Sequence, residues 1–372
     1  MQNFERRQNS YICIMEEHPD KEKLSKLPVF FIVGRERSGT TLLRTIFDAH
    51  PNVNIPVEFH FIWHMFSKYH KCKFWSLKKL EEFYRDLIHL PRYHLLTIKE
   101  EKLHSDILSM EGETSYATLC KVVLINYISL FPKQETLLLG DKCPVYSLYL
   151  SKLLKAFPDA RIIHITRDYR DVAQSMLRVH IETHNFTSIT YRWKYYNRQI
   201  LKVKKKYPDS FLTLRYEDFV TDPSQYLETI SSFLNLPYVP ETLEFYKKKE
   251  DYMKVYPKRV FERVHRNLFK PITNDHIYGW KEKMSERRIR LADSIIGPDA
   301  EFWGYERIYK KKDTWQFMFN WPGLLYGRVY YIWGSFVSRL PLGLKVRILF
   351  ILAFFFKHKW RYIKVNLPAD AG

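Results

Sequence analysis

The stretch VFFIVGRERSGTTLLR, residues 29–44, decides the fold because it combines a strand, a tight turn and a helix. An apolar run rich in Val, Ile and Phe ends at Gly34. A helix, indicated by apolar residues at helical spacing, begins near Thr40. Unpaired backbone N–H groups and the positive end of the helix dipole face such a turn, which makes it an anion site. The spacing of Gly34 and Gly39 is that of a Walker A loop, but Thr40 stands where that loop has its Lys. This substitution argues against an ATPase and favours a loop that holds another kind of phosphate.

Strands and helices alternate along the chain beyond this stretch. The patterns predict strands at 29–33, 136–139, 161–166 and 211–215, and helices at 40–49, 146–157, 169–179 and 223–234. This alternation predicts βαβ units and a parallel sheet, which binds ligands at the carboxyl ends of its strands. The fold class is therefore α/β, with a P-loop-like parallel sheet flanked by helices, a helical insert and a C-terminal helical, membrane-interfacial extension.

This pattern and the composition divide the chain into three segments. We expect an N-terminal arm at 1–27, a main domain at 28–310 with a helical acceptor-side insert at about 59–135, and an aromatic and basic extension at 311–372. The insert is rich in aromatic residues between 59 and 107, and we expect them to form an apolar acceptor pocket.

Composition limits the class of protein. The chain has 372 residues, 46% of them hydrophobic, and a formal net charge of +19, which suits a globular protein with an anionic partner. Four cysteines without CxxC or zinc spacing, and an N-terminus without an apolar leader, predict reduced thiols in the cytoplasm. A basic nucleic-acid-binding protein is an alternative, which predicts steeply salt-dependent binding.

Four sequence blocks carry a family resemblance. GRERSGTT (34–41) and RIIHITRDYRDVAQSMLR (161–178), supported by GDKCP (140–144) and LRYEDFVTDPSQYLETISSFL (214–234), resemble the sulfotransferases that use 3′-phosphoadenosine 5′-phosphosulfate, PAPS. The resemblance spans about residues 28–305. It is nearer to the tyrosylprotein and bacterial branches than to the cytosolic one, because their loops favour Arg-Ser-Gly-Thr-Thr.

The resemblance implies a set of donor-binding residues. The 5′-phosphate of PAPS would be held by the loop residues Arg37, Ser38, Gly39, Thr40 and Thr41. The product would be 3′,5′-diphosphoadenosine, and the family's chemistry requires no metal.

A second group of residues would contact the rest of the nucleotide. By the same resemblance, Arg167 and Ser175 would fork the 3′-phosphate, and Tyr216 would contact the nucleotide. The loop departs from the family at Glu36, where a Pro is usual, and a carboxylate there must point outward or pair with Arg35.

Catalytic roles are assigned to Arg37, Lys142 and Glu58. Lys142 would neutralise charge on the bridging oxygen as the sulfuryl group leaves. Glu58 lies ten residues after Asp48, as in the tyrosylprotein branch, and would remove the acceptor proton. A buried Glu58 would have a raised pKa and be the better base. His60 and His64 are rivals for this role.

The extension indicates where the protein works. Trp315–Val337 carries nine aromatic residues, and no acidic residue occurs in Thr314–Ala369. The apolar run Ile348–Phe356 has nine residues, short of the roughly 20 that span a bilayer. We therefore expect peripheral attachment at the inner membrane surface. Packing of this segment on the enzyme, or an oligomer interface, is the alternative, and the two are compatible.

A membrane-facing extension favours a small lipophilic acceptor such as a sterol or another hydroxylated lipid. Carbohydrate or tyrosine acceptors are the alternatives within the same chemistry. A P-loop nucleotide-binding protein without sulfotransfer and a scaffold that has lost catalysis are alternatives of other classes. Nucleic acid is disfavoured as a partner, and homo-oligomerisation is left open.

Overall fold

A computed structural model describes residues 18–179, 184–248, 270–275, 277–311 and 313–337, with Leu340, Gly343, Leu344 and Ile348. Its centre is a five-stranded sheet in the order β2-β5-β1-β6-β7, in which each pairing is parallel. The strands are β1 (Val29–Val33), β2 (Val53–Asn54), β5 (Leu138–Lys142), β6 (Arg161–Thr166) and β7 (Phe211–Arg215). The predicted α/β class with a P-loop-like parallel sheet is confirmed.

Helices flank this sheet. Among the described residues, the first eight in chain order are α1 (Lys21–Lys26), α2 (Thr40–Ala49), α3 (Phe61–Tyr69), α4 (Leu77–Ile88), α5 (Glu100–Leu108), α6 (Tyr116–Ile125), α7 (Leu150–Ala156) and α8 (Tyr169–Val179). The next eight are α9 (Phe186–Lys206), α10 (Tyr216–Thr221), α11 (Pro223–Leu234), α12 (Trp280–Lys283), α13 (Glu286–Ile296), α14 (Asp299–Phe302), α15 (Thr314–Phe319) and α16 (Trp321–Val337). Short 3₁₀ segments occur at Tyr93–Leu95, Pro144–Leu148, Pro208–Ser210 and Pro240–Lys248.

The elements around the opening stretch have the predicted bounds. Strand β1 is buried along its whole length between β5 and β6, which explains its unbroken apolar sequence. Helix α2 then presents one apolar side to the core, where Leu43, Ile46 and Phe47 are buried. The same agreement holds for β6, α8, β7 and α11.

Two predicted boundaries are wrong. Strand β5 begins at Leu138 and runs through Lys142, because its parallel pairing with β1 continues to Asp141 opposite Phe31 and Lys142 opposite Ile32. The block GDKCP is therefore mostly strand and is buried. The helix predicted at 146–157 is likewise shorter, because it begins at Leu150 after a 3₁₀ segment at Pro144–Leu148 and ends at Ala156.

The segment between β2 and β5 is mostly helical, but it also holds a small antiparallel sheet. Strand β3 (Phe74–Trp75) pairs there with β4 (Gly112–Glu113). Its aromatic side chains pack largely on one another: Tyr69, Trp75 and Phe83 lie with ring centroids 5.3–5.7 Å apart. Burial in a core therefore explains much of the aromatic content from which an acceptor pocket was predicted.

The extension contributes helices α15 and α16, and α16 packs along α9. No helix among the described residues has both the length and the apolar character needed to cross a membrane. The arm up to residue 17 and the apolar run Ile348–Phe356, Ile348 excepted, lie outside the described residues.

Candidate active site

The carboxyl ends of all five parallel strands meet at one edge of the sheet. Strand β1 leads into the loop that begins at Gly34, β5 ends at Lys142, and β6 is followed by Arg167. Tyr216 follows β7, and Glu58 lies four residues after β2. Since parallel strands deliver their carboxyl ends to the same edge, residues far apart in sequence form one site.

Two glycines give the loop after β1 its shape. A Cβ on Gly34, where φ is +150°, would lie 2.3 Å from the Ile165 carbonyl oxygen on β6. A Cβ on Gly39, where φ is +96°, would lie 2.6 Å from the Tyr216 ring. Gly39 is also the N-cap of α2, so its left-handed backbone turns the chain into the helix. The two glycines thus seat the loop against β6 and Tyr216.

The loop has the chemistry of an anion cradle. The Ser38 hydroxyl is buried, and among the described residues its Oγ has no hydrogen-bond partner. Thr40 is buried and Thr41 is half-buried in the first turn of α2. Hydroxyls and free backbone N–H groups at a helix N-terminus are the donors that a phosphate needs. These residues therefore fit the 5′-phosphate of PAPS.

Arg37, Arg167, Ser175 and Tyr216 form a group that we call the cationic cluster. Arg37 Nε donates to Ser175 Oγ at 3.1 Å, and a terminal nitrogen of Arg167 donates to the Arg37 carbonyl oxygen at 3.3 Å. The Arg167 guanidinium lies over the Tyr216 ring, 4.4 Å from its centroid. The structure thus brings together the residues predicted to hold the 3′-phosphate, with Arg37 as the partner of Ser175.

Positive charge is concentrated in this cluster. Burial, together with the charges of Arg167 and Arg178, lowers the pKa of Arg37 to about 10. Arg37 also has φ of +70°, a conformation that is rare for a residue with a side chain. Crowded cations and backbone strain both indicate a site built for an anion.

The buried carboxylate of Glu217 holds the turn that carries Arg167. Glu217 accepts the Asp168 backbone N–H at 2.9 Å and the Tyr305 hydroxyl at 3.0 Å. Trp193 Nε1 donates to the Arg167 carbonyl oxygen at 2.9 Å. The turn that carries Arg167 is therefore held by hydrogen bonds to α10 and α9, and Tyr305 in turn holds Glu217.

Glu36 does not oppose the anion site, because Arg35 neutralises it. A terminal nitrogen of Arg35 donates to one Glu36 carboxylate oxygen, and the Tyr196 hydroxyl donates to the other at 3.3 Å. The Arg35 guanidinium also lies over the Tyr196 ring, 5.1 Å from its centroid. The expected pairing with Arg35 is confirmed.

Glu58, His60, Arg92 and Lys142 form a second group, the carboxylate cluster. Lys142 Nζ donates to Glu58 Oε2. Arg92 donates to Glu58 Oε1 at 2.7 Å, and His60 Nε2 contacts the same oxygen at 2.9 Å. The Glu58 side chain is 24% exposed whereas Lys142 is 3% exposed, so the carboxylate forms the open side of the pair.

The predicted direction of the Glu58 pKa is wrong. Burial alone would raise the pKa of this carboxyl, but the charges of Lys142 and Arg92 and the contact with His60 hold it well below its usual range. Burial also lowers the pKa of His60. In this arrangement Glu58 is ionised but is a weak base, because three neighbours stabilise its charge.

Sequence reasoning missed two members of this region. Arg92 has φ of +74° and reaches Glu58 across 34 residues of sequence, and no local motif marks it. Asp141 is buried in β5 and accepts the Tyr146 hydroxyl at 2.6 Å. Burial raises the pKa of Asp141 to about 7. An interpretation of the block GDKCP (140–144) as a strand would have indicated Asp141, because it places this carboxylate inside a buried strand.

The two clusters together suit transfer of a charged group between oxygens. One provides cations and hydroxyls for phosphates, and the other provides a Lys and a carboxylate for the reacting atoms. Within the described residues, no three His, Cys, Asp or Glu side chains lie close enough together to hold a metal ion.

Comparisons with known proteins show which family the chain resembles. A model of the sulfotransferase family matches residues 28–240. Protein-tyrosine sulfotransferase of Drosophila melanogaster is 24% identical over 311 residues, which cover 78% of this chain and 55% of that protein. Protein-tyrosine sulfotransferase 1 of Danio rerio is 26% identical over 217 residues, covering 57% and 54%. The chain thus spans about half the length of these two relatives.

Solved structures give a weaker likeness. The sulfotransferase domain from the curacin biosynthetic pathway aligns with a TM-score of 0.48 at 21% identity, over 75% of this chain and 98% of that one. Mouse sulfotransferase SULT7A1, solved as a complex with PAP, aligns with a TM-score of 0.38 at 14% identity, over 73% and 83%.

Proposed function

Because the chain belongs to the sulfotransferase family, we propose that it transfers the sulfuryl group of PAPS to an acceptor hydroxyl and releases 3′,5′-diphosphoadenosine. The observation that carries this proposal is the meeting of the phosphate loop, the cationic cluster and the carboxylate cluster at one sheet edge. Two separated phosphate cradles match a nucleotide with phosphates at both ends of its ribose.

Each cradle has a distinct proposed role. Ser38, Gly39, Thr40 and Thr41 bind the 5′-phosphate through hydroxyls and backbone N–H groups. Arg167 and Ser175 bind the 3′-phosphate, with Tyr216 beside the nucleotide. Arg37 lies between the two cradles, because it is part of the loop and donates to Ser175.

The proposed reaction breaks the bond between sulfur and the bridging oxygen of the donor and forms a bond between sulfur and the acceptor oxygen. Lys142 and Arg37 stabilise the charge that develops on the bridging oxygen, and Glu58 takes the acceptor proton. Lys142 must exchange Glu58 for the donor's oxygen in this step, which removes the cation that most suppresses the Glu58 pKa. Glu58 therefore becomes a stronger base when the donor is bound.

We propose a small hydroxylated lipid or sterol as the acceptor. The outward side of α16 is apolar, as at Ile332 and Phe336, and supports a peripheral location at a membrane surface where such an acceptor dissolves. A tyrosine acceptor is the second candidate, because the two relatives named above are protein-tyrosine sulfotransferases.

Nucleotide binding and an acceptor panel test this function. Calorimetry should show that 3′,5′-diphosphoadenosine binds at least about tenfold more tightly than AMP, since hydrogen bonds to a charged group contribute about 1.5–3 kcal/mol. PAPS turnover is then compared among sterols, hydroxylated lipids, phenols, sugars and tyrosine peptides. Equal affinities, or magnesium-dependent ATP turnover, would contradict the proposed donor, and activity confined to sugars or peptides would overturn the lipophilic acceptor.

A further inference from the structure

Within the part of the chain that the structure describes, helix α16 packs on α9 through one side. Gly323 and Gly327 let it approach α9 closely: a Cβ at these positions would lie 2.5 Å from Asn185 Oδ1 and 3.0 Å from the Tyr191 ring. One turn further on, Tyr331 stacks on Tyr195 with ring centroids 4.1 Å apart. Positions 323, 327 and 331 recur every four residues, so they form one stripe that is used for packing.

The opposite side of α16 is exposed and apolar, and we call it the outer face. Ile332 is 70% exposed. The outer face comprises Leu325, Tyr326, Val329, Ile332, Trp333 and Phe336. Arg328 is the single charged residue in the sequence of this helix. Soluble proteins rarely leave such a continuous apolar surface uncovered, and one of this kind marks an interaction site.

A basic cavity of about 480 Å³ lies beside this helix, between α9, α13 and α15. Five cations line it: Lys194, Arg198, Arg307, Lys310 and Arg328. Two carboxylates outside the lining balance part of this charge, since Asp299 pairs with Lys194 and Arg198 and Glu301 pairs with Arg307. The five cations of the lining outnumber the two carboxylates that pair with them, which favours an anionic ligand.

The wall of the basic cavity is also partly apolar. Ile295 and Leu324 line it together with the Tyr191 and Phe317 rings. Leu324 and Arg328 are four residues apart on α16 and contribute one side of the cavity. Leu325 and Val329 each follow by one position, about 100° further round the helix, so the cavity is continuous with the outer face.

We propose that the basic cavity binds the anionic headgroup of a membrane phospholipid, while the outer face lies in the interfacial layer of the same membrane. A ligand with an anionic head and apolar chains matches a basic cavity that continues into an apolar surface. Trp, Tyr and Arg side chains are favoured in the headgroup region, where an apolar body and a polar tip are both satisfied.

A second copy of the chain fits this surface less well than a lipid surface does. A two-fold contact through the outer face would bring two Arg328 residues and two basic cavities near one another. Thr314–Ala369 has no acidic residue that would compensate them. Anionic lipids supply the missing negative charge. This inference deepens the proposed peripheral location and is independent of the sulfotransfer chemistry.

Cosedimentation of the full chain with vesicles tests the proposal. One vesicle is phosphatidylcholine alone, and the other is a two-to-one mixture of phosphatidylcholine and phosphatidylglycerol. We expect at least about tenfold tighter binding to the mixture, since each basic residue near an anionic surface contributes severalfold. Ile332→Ser should weaken binding to both vesicles, and Arg328→Gln should weaken only binding to the mixture, by about fivefold.

Two exposed residues far from this helix in sequence provide matched controls. Phe74→Ser removes a 70% exposed aromatic ring of the small sheet, and Lys78→Gln removes an exposed cation. Neither should change vesicle binding. Equal losses in the control variants would overturn the proposal, as would the absence of binding to both vesicles.

Two further outcomes identify other occupants and also overturn the lipid proposal. The first is binding of inorganic phosphate that Arg328→Gln abolishes, without binding to vesicles, which would make the cavity a site for a free anion. The second is a concentration-dependent dimer that Ile332→Ser dissociates, again without binding to vesicles. None of these measurements uses turnover, so their failure is distinguishable from failure of the proposed reaction.

Discussion

The cationic cluster and the carboxylate cluster lie at the same sheet edge but differ in their charge balance. Around Arg37, the neighbouring charges of Arg167 and Arg178 act in the same direction as burial and lower its pKa to about 10. Around Glu58, the charges of Lys142 and Arg92 act against burial and hold the carboxyl ionised. One cluster thus concentrates like charges, whereas the other pairs opposite ones.

The difference in charge balance determines what each cluster requires of a ligand. An anion bound at the cationic cluster relieves repulsion that is already present, and this relief contributes to its affinity. At the carboxylate cluster the opposite charges already satisfy one another, and a ligand must displace a partner. We infer that the cationic cluster contributes mainly to the affinity for the nucleotide. At the carboxylate cluster, the exchange of one ion-pair partner for the ligand would lower the barrier of the reaction.

The largest effect should come from removing the base. Glu58→Gln keeps the size of the side chain but cannot accept a proton, so turnover should fall by about 10²–10⁴-fold. The affinity for 3′,5′-diphosphoadenosine should stay within about twofold of wild type, since general-base catalysis is separate from donor binding. Steady-state kinetics and calorimetry measure the two quantities. Glu113→Gln, an exposed carboxylate of the small sheet, is the control, and a loss below about threefold would transfer the role to His60 or His64.

The next effect should come from the cation of the same pair. Lys142→Ala should lower turnover by about 10²–10³-fold, because a preorganised charge at the bridging oxygen is lost. Nucleotide affinity should change little, and Lys142→Arg should recover part of the rate. Lys121→Ala is a matched control, since this Lys is also buried and donates to the Ser25 carbonyl oxygen. Equal losses of turnover in the Lys121 and Lys142 variants would mean that the role of Lys142 is structural.

The cationic cluster should show the reverse pattern. Arg167→Gln should weaken 3′,5′-diphosphoadenosine binding by about 10–100-fold, and Ser175→Ala by about tenfold, because each variant removes a hydrogen bond to a charged group. AMP, which lacks the 3′-phosphate, should bind both variants as it binds the wild-type protein. Calorimetry with the two nucleotides measures this difference. A parallel loss of AMP affinity would show that the cluster supports the loop and does not read the 3′-phosphate.

The smallest effect concerns stability beneath the carboxylate cluster. Burial raises the pKa of Asp141 to about 7, above the unfolded value, so the native state holds an extra proton across the interval between them. Wild-type stability should therefore fall as the pH rises through this interval. Asp141→Asn should remove that dependence, so its stabilising effect should be larger at pH 8 than at pH 5 by about 2–3 kcal/mol, at about 1.4 kcal/mol for each pH unit up to the native pKa. Denaturant unfolding at both pH values measures it, and parallel pH profiles of variant and wild type would contradict it.

The parts predicted well from sequence are those in which local pattern and global fold agree. Val29–Val33 is buried on both sides, so its apolar run and its strand coincide. The helix Thr40–Ala49 has both its glycine boundary and its apolar side in the sequence. The loop residues and Arg167 follow from the same logic, because a strand end fixes where they lie.

The parts predicted poorly depend on contacts between distant segments. Strand β5 continues through Lys142 because it pairs with β1 there, although Gly140 and Asp141 are residue types typical of turns. The pKa of Glu58 depends on Arg92, which approaches from a different part of the insert. Tertiary contacts override local preference in both cases. The roles of all the assigned site residues and the segment boundaries stay predictions.

The strand order has a consequence for how acceptor choice can change. Strands β1, β6 and β7 lead to the residues proposed to bind the nucleotide, whereas β2 leads into the insert that contains Glu58, His60 and Arg92. Lys142 ends β5, between β2 and β1. The residues proposed to act on the acceptor therefore come mainly from one inserted segment, which leaves the sheet at β2 and returns to it at β5. Replacing the insert between β2 and β5 with that of a relative should change which acceptor is used. Nucleotide binding should not change.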